Sequence, residues 1–175
     1  MDGKPLQTRH SEVPDELWLL ITDHLAAKEL WASARHINIR LSRIATDQLM
    51  RADHLHRFSI GVSFSLGSGS HHRWFDIRGT ITFSFQHFKE HNSHYAIFGS
   101  LDVHPQESSA IAMRKWETMC SHGNRAGEQW KVQEGVDGDV KVVRLQNLVV
   151  MGPGHELYVD CKELFDAYYG NAAVS

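Results

Sequence analysis

The sequence is poor in cysteine and contains no long apolar run. Its two cysteines, Cys120 and Cys161, are far apart, so they form neither a disulfide framework nor a paired thiol motif. The first residues, MDGKPLQTRHSEV, lack the apolar core of a secretory signal, and no stretch approaches the roughly 18 apolar residues that span a bilayer. These absences predict a protein of the cytosol or the nucleus that makes no membrane contact.

An excess of basic residues is absent as well. Lysine and arginine number 18 against 21 aspartates and glutamates, which gives a formal net charge of -3. Because nucleic-acid-binding domains usually carry a basic surface, this balance predicts no nucleic-acid partner.

Motifs of catalysis and of cofactor binding are also missing. Neither the G-x-S-x-G nucleophile elbow nor a glycine-rich phosphate loop occurs in the sequence. Cys120 and His122 lie two residues apart, a spacing that seldom lets a thiol face its base. We therefore expect no enzyme activity, no catalytic residue and no cofactor.

What the chain does contain near its start is a set of apolar residues at helical spacing. Pro14 can occupy the first turn of a helix, and Asp15 and Glu16 follow where negative charge complements the helix dipole. The segment KELWASAR predicts a second short helix, and the apolar positions from Ile37 to Leu49 predict a third. The apolar face of the first helix is wider than one packed side requires, which indicates burial on more than one side.

This helical stretch resembles an F-box. The family opens its first helix with a leucine, a proline and an acidic-leucine step, and it introduces its second helix with a lysine-acid-leucine step. Here the matching places are held by Val13, Pro14, Glu16, Leu17, Lys28, Glu29 and Leu30. The third helix of the family is matched by residues 37–45, so the resemblance covers roughly residues 12–55.

The resemblance implies a partner and a function. F-box helices bind a Skp-family adaptor of a cullin-RING ubiquitin ligase, which leaves the rest of the chain to hold a protein target. On this hypothesis the protein is a non-enzymatic substrate receptor in the ubiquitin conjugation pathway. The expected adaptor contacts are Val13, Pro14, Glu16, Leu17, Leu20, Ile21, Leu25 and Leu30.

Two alternatives stay open. The chain could be a self-contained α+β protein that binds a ligand or a metal, with the N-terminal leucines as ordinary core. It could also be an F-box remnant that binds the adaptor but has lost its target site. An apolar face exposed on the first helix would favour the receptor, and a buried face would favour the self-contained protein.

Beyond Arg57 the apolar residues follow a period of two. FSIGVSFSLG alternates strictly between apolar and small polar residues, and WFDIRGTITFSFQHF and HYAIFGSLDVH continue the alternation. EQWKVQE and DVKVVRLQNLVVMG flank an Asp137-Gly138 step that favours a hairpin turn, and HELYVDC predicts a last strand. ESSAIAMRKWETMCSHG fits a strand or a short helix, of which we expect the helix, and KELFDAYYG predicts a terminal helix.

The predicted fold class is therefore α+β. A three-helix, F-box-like module precedes a small antiparallel sheet, either a half-barrel or a sandwich, that ends in a short C-terminal helix. The expected domains are an N-terminal tail over residues 1–11, the helical module over residues 12–55 and a target-recognition sheet domain over residues 56–175.

Tryptophans and histidines provide the candidate sites in the sheet domain. Trp74, Trp116 and Trp130 could anchor a target, although core burial is the commoner role of such residues. The run HFKEHNSH would place its three histidines on one face if it were helical, as a metal site requires. We favour a polar hairpin loop for this run, with no metal bound. The histidines of the weaker metal hypothesis are His87, His91 and His94.

Overall fold

The structure, a computed structural model, describes residues 13–68, 76–121, 129–151 and 156–170. The chain divides into two compact units, with the boundary between Thr46 and Asp47. We refer to residues 13–46 as the helical unit and to the described residues from Asp47 onwards as the sheet unit.

The predicted N-terminal helices are present. They are α1 (Asp15–Asp23), α2 (Ala27–Ala32) and α3 (Ile39–Leu49), with a 3-10 turn at Ala34–His36. Pro14 lies at the N-cap of α1 with extended backbone, so the helix begins one residue later, at Asp15. Asn38 begins α3 because its side-chain oxygen accepts a hydrogen bond of 2.8 Å from the backbone N–H of Leu41.

A further short helix, α4 (Ala52–Leu55), precedes the first strand. Its four residues cover barely one turn, which is too short for an apolar period to show in the sequence. None of the helices in the described ranges is both long enough and apolar enough to cross a membrane.

The described residues of the sheet unit form a seven-stranded antiparallel half-barrel. The strands are β1 (Phe58–Ser68), β2 (Asp76–Lys89), β3 (Asn92–His104), β4 (Gln129–Glu134), β5 (Val140–Arg144), β6 (Val149–Met151) and β7 (Glu156–Asp160). Their spatial order is β5-β4-β1-β2-β3-β7-β6. Two helices accompany the sheet, α5 (Ser109–Ser121) and α6 (Cys161–Tyr169), and a 3-10 turn at Gln106–Ser108 leads into α5. The predicted α+β class, the helix at α5 and the terminal helix are confirmed.

The core of the sheet unit follows from the period-two pattern. Ile60 pairs with Phe83 on one side and with Val132 on the other, and all three side chains are buried. Helix α5 covers this face with Trp116, whose ring centroid lies 5.1 Å from that of Phe83 and 6.4 Å from that of Trp130. Alternation therefore defines an inner apolar face and an outer polar face of the sheet.

The segment after the predicted Asp137-Gly138 turn divides into two strands that lie at opposite edges of the sheet. Strand β5 ends at Arg144, and β6 begins only at Val149. Between them the backbone N–H groups of Gln146 and Asn147 donate to the carboxylate of Glu163 on α6. The turn between the two strands is thus held by a residue distant in sequence, and the local sequence pattern does not predict this contact.

Candidate functional site

Helix α1 presents aliphatic side chains to solvent. Leu17 is 49% exposed, Leu20 is 59% exposed and Ile21 is 48% exposed. These residues lie three and four positions apart, so they share one side of the helix. We call Leu17, Leu20 and Ile21 the α1 apolar face.

A polar residue occupies the inner side of the same helix. Thr22 is fully buried, and Trp18 is half-buried one turn before it. The Thr22 hydroxyl lies 2.9 Å from the carbonyl oxygen of Trp18 and 3.0 Å from that of Leu19, and it donates to these acceptors. Because the hydroxyl is satisfied within its own helix, threonine is buried without an unpaired polar group. Helix α1 therefore buries a threonine and exposes leucines.

The start of α3 adds apolar surface to the helical unit. Ile39 is 89% exposed, and Ile37 is also exposed. A groove of about 450 Å³ lies between the beginnings of α1 and α3. Its lining residues are Val13, Trp18, Asn38, Ile39 and Arg40. A groove of this volume can accommodate a large apolar side chain.

One side of this groove is fixed by a charged hydrogen bond. The Arg40 guanidinium binds the Asp15 carboxylate, and it also donates a hydrogen bond of 3.1 Å to the carbonyl oxygen of Val13. The hydrogen bond from Arg40 lowers the pKa of the Asp15 carboxyl, and the positive charges of Arg40 and Arg43 act in the same direction. Arg40 thus joins the beginning of α3 to the beginning of α1.

The structure separates the predicted adaptor contacts into two groups. The exposed group is Val13, Pro14, Glu16, Leu17, Leu20 and Ile21. Leu25 is half-buried, and Leu30 is only 5% exposed, so Leu30 belongs to the interior in this conformation. Ile39 is not among the predicted contacts. The sequence pattern places Ile37 on the apolar face of the third helix, whereas in the structure Ile37 precedes α3, which begins at Ile39. The capping residue Asn38 is the sequence signal that places the helix start after Ile37.

Two of the three tryptophans predicted to contact a target lie in the core of the sheet unit. Trp116 and Trp130 are fully buried, so in this conformation both are core residues and neither is exposed to a target. Trp74 lies outside the described residues.

The histidine run forms a hairpin and not a helix. His87 lies in β2, His94 lies in β3, and His91 occupies the connecting turn with a φ of 60°. All three side chains are exposed. Across the described ranges, no three side chains among histidine, cysteine, aspartate and glutamate are placed to hold a metal ion together. His122, the base considered for Cys120, lies outside the described residues.

A polar cluster connects α4, β4 and α6. The Tyr169 hydroxyl donates to the Glu134 carboxylate over 2.8 Å, and it lies 3.2 Å from Nε2 of His54. Since the hydroxyl has a single proton, it accepts the hydrogen bond from the His54 ring. Arg57 forms an ion pair of 3.3 Å with Glu134.

Burial shifts the pKa values in this cluster. It lowers the pKa of His54 and raises the pKa of Tyr169, because both charged forms lose solvation. Burial likewise raises the pKa of the Cys161 thiol to about 12, which leaves this cysteine unreactive at neutral pH. Tyr169 itself is buried, so we assign the polar cluster a structural role.

A shallow depression of about 200 Å³ lies on the outer face of the sheet. Its lining residues are Ser59, Gly61, Thr80, Thr82, Lys131, Gln133 and Val140. Gly61 lies between Thr82 and Lys131 in the strand register, and its missing side chain leaves the space open. The outer face thus combines small hydroxyl side chains with one lysine.

No protein-family model, no curated protein and no solved structure matches the chain. The surfaces described above are therefore the structural basis for a functional proposal.

Proposed function

We propose that the protein is a non-enzymatic substrate receptor of a Skp-cullin-F-box type ubiquitin ligase. In this assignment the helical unit binds a Skp-family adaptor, and the sheet unit holds a protein target. The observation that carries the proposal is the α1 apolar face, which is exposed although a threonine of the same helix is buried.

The physical reason is the free energy of apolar surface in water. Removal of apolar area from water is favourable by about 25 cal/mol per Å², and leucines that stay exposed do not make this contribution in the free chain. A contiguous exposed apolar patch with a charged rim is typical of a protein interface. Glu16 and Asp23 are exposed and lie one turn from Leu20 on either side, and they supply such a rim.

The residues of the helical unit then have separate roles. Leu17, Leu20 and Ile21 provide the apolar area that the adaptor covers. Val13 and Ile39 line the groove in which an apolar side chain of the adaptor inserts. Leu25 and Leu30 support the helices from inside, and no residue of this surface has a catalytic role.

The rival hypothesis requires a different placement of the same residues. In a self-contained protein, the leucines of α1 would be buried in the isolated chain, whereas Leu20 is more than half exposed. The exposed face thus supports the receptor over the self-contained protein. The proposal includes a cytosolic or nuclear location, which suits a chain with two isolated cysteines.

The test is co-purification of the full chain with a purified Skp-family adaptor, followed by titration calorimetry. The double variant Leu20→Asp/Ile21→Asp places two charges in the centre of the α1 apolar face. We expect its affinity for the adaptor to fall by at least about 100-fold, since central interface residues dominate binding energy.

The matched control is the double variant Ile111→Asp/Val136→Asp, which changes two exposed aliphatic residues of the sheet unit. It should bind the adaptor as the unmodified chain does. Circular dichroism must show the same helix and strand content for both variants. If the unmodified chain is folded and monomeric but does not bind the adaptor, the receptor assignment is wrong.

A further inference from the structure

Strand β5 forms one edge of the sheet. In the part of the chain that the structure describes, β4 is the one strand that pairs with it. Every second backbone N–H and C=O of an antiparallel edge strand points away from its neighbour. Such an edge can add a further strand from another chain, which is how many proteins bind extended peptides.

The side chains of β5 leave this edge accessible on the outer face. Val140 is 53% exposed and Val142 is 47% exposed, and both are β-branched residues that suit strand pairing. Strand β5 has neither a proline nor a bulge, since it pairs regularly with β4 from Val140 to Arg144. The edge is therefore an uninterrupted strand of five residues.

The inner side of β5 is held firmly. Val143 is buried, and the Lys141 ammonium donates a hydrogen bond of 2.6 Å to the carbonyl oxygen of Tyr168 on α6. The Tyr168 hydroxyl donates to the carbonyl oxygen of Asp139, immediately before the strand. Gln133, on β4, holds the turn between β4 and β5. Its side-chain amide donates to the carbonyl oxygens of Val136 and Gly138. A strand ordered in advance loses little conformational entropy when it binds a partner.

The outer face of this hairpin carries positive charge. The strand register places six side chains on it, namely Gln129, Lys131, Gln133, Val140, Val142 and Arg144. Two of them are basic and none is acidic, although the whole chain has a formal net charge of -3. Lys131 and Arg144 are both exposed. The acidic residues of the hairpin, Glu134, Asp137 and Asp139, lie at its turn.

We infer that the edge of β5 binds an extended, acidic segment of a target protein as an additional strand. The backbone of the segment pairs with β5, its apolar side chains pack beside Val140 and Val142, and its carboxylates lie near Lys131 and Arg144. The inference deepens the proposed function by naming a class of target, and only the role of the bound segment rests on that function. Binding itself is independent of the adaptor.

The test uses synthetic peptides and the full chain without adaptor. The probe is a fluorescein-labelled heptapeptide with threonine at every odd position and glutamate, valine and valine at the even positions, so that the glutamate and both valines share one face of the strand. We call it the valine-glutamate peptide, and its binding is measured by fluorescence anisotropy at low salt. The same peptide with lysine in place of glutamate, the valine-lysine peptide, tests the charge. A valine-glutamate peptide that is N-methylated at every residue tests backbone pairing, because it cannot donate the ladder hydrogen bonds from either edge.

We expect binding of the valine-glutamate peptide only, and its affinity should fall as salt is added. Lys131→Glu should weaken binding by about 5-fold to 10-fold, since attraction at an exposed pair becomes repulsion. Arg114→Glu is the matched control, because it reverses an exposed charge on α5 and should leave the affinity unchanged. Hydrogen exchange of the β5 amides should slow when the peptide is bound.

Several results would overturn the inference. Equal binding of the N-methylated peptide would exclude strand pairing, and equal binding of the valine-lysine peptide would exclude the charge preference. Protection of β5 that rises with protein concentration, with no peptide bound, would show that a second copy of the chain covers the edge. If the unmodified chain binds the valine-glutamate peptide but does not bind the adaptor, the receptor assignment alone is refuted.

Discussion

In the sheet unit, strand β1 directs Phe58, Ile60 and Val62 to the interior, whereas in the helical unit α1 directs Leu17 and Leu20 to solvent. Both segments are rich in apolar residues, so composition does not separate them. The difference lies in their exposure, since these side chains of β1 are buried within the sheet unit whereas those of the α1 apolar face are about half exposed. Buried apolar residues such as those of β1 stabilise the fold, and exposed ones such as those of α1 are available to a partner.

The largest effect should come from removing an aromatic ring from the sheet core. Trp116→Ala should lower the free energy of unfolding of the sheet unit by about 3–5 kcal/mol, because it removes a fully buried indole ring and leaves a cavity. Urea denaturation followed by circular dichroism measures this change. Ile111→Ala, at an exposed position of the same helix, should change it by less than about 0.5 kcal/mol. Similar losses in the two variants would contradict the assignment of Trp116 to the core.

A smaller loss is expected from the polar cluster. Tyr169→Phe removes the hydroxyl that joins Glu134 to His54, and it leaves two part-buried polar groups without this partner. The free energy of unfolding should fall by about 1–2 kcal/mol. Tyr95→Phe, in β3, is the control for the loss of a tyrosine hydroxyl. An unchanged stability in Tyr169→Phe would mean that the cluster contributes nothing to the fold.

Acid should weaken the same cluster. Burial lowers the pKa of His54 below its ordinary value of 6.5, so the unfolded chain binds a proton at this residue more readily than the folded chain. The contribution of His54 to stability is therefore complete above pH 6.5 and declines as the pH falls from there towards the folded-state pKa. Denaturation midpoints at pH 7.5 and pH 5.5 should differ less in His54→Gln than in the unmodified chain. His87→Gln is the control for removal of an exposed histidine.

The smallest effect on stability is expected from substitutions in the α1 apolar face. Leu20→Gln/Ile21→Gln keeps good helix formers in α1 but removes the exposed aliphatic groups. Because these groups contact water in the free chain, the free energy of unfolding should change by less than about 0.5 kcal/mol. A loss of several kcal/mol would show that the face is buried in solution, as the self-contained alternative requires.

Sequence patterns predicted most of the fold because the responsible interactions are local or periodic. The strict alternation after Arg57 gave β1, and the Asp137-Gly138 step predicted the turn between β4 and β5. The structure adds that Gly135 takes the left-handed backbone of that turn, with a φ of 72°. Gly138 is required for another reason, since a Cβ there would lie 1.8 Å from the carbonyl oxygen of Glu134.

The candidate site was harder to predict because it depends on which way a helix faces. Helical spacing groups Leu17, Leu20 and Ile21 on one side of α1, but spacing alone does not say whether that side is buried. Residue type suggests that Thr22 should face water, yet its hydroxyl is satisfied by carbonyls of its own helix. The exposure of the leucines is therefore a property of tertiary structure.

The placement of β5 and β6 at opposite edges also bears on the order of folding. Strands β1, β2 and β3 follow one another in sequence and in space, so they can pair at a small cost in loop-closure entropy. Strand β4 must return to β1 across the whole of β2, β3 and α5, and β7 must return to β3. We expect the central meander to form early and the edge strands to join it late. The β5 edge would then be among the last parts of the fold to form during synthesis.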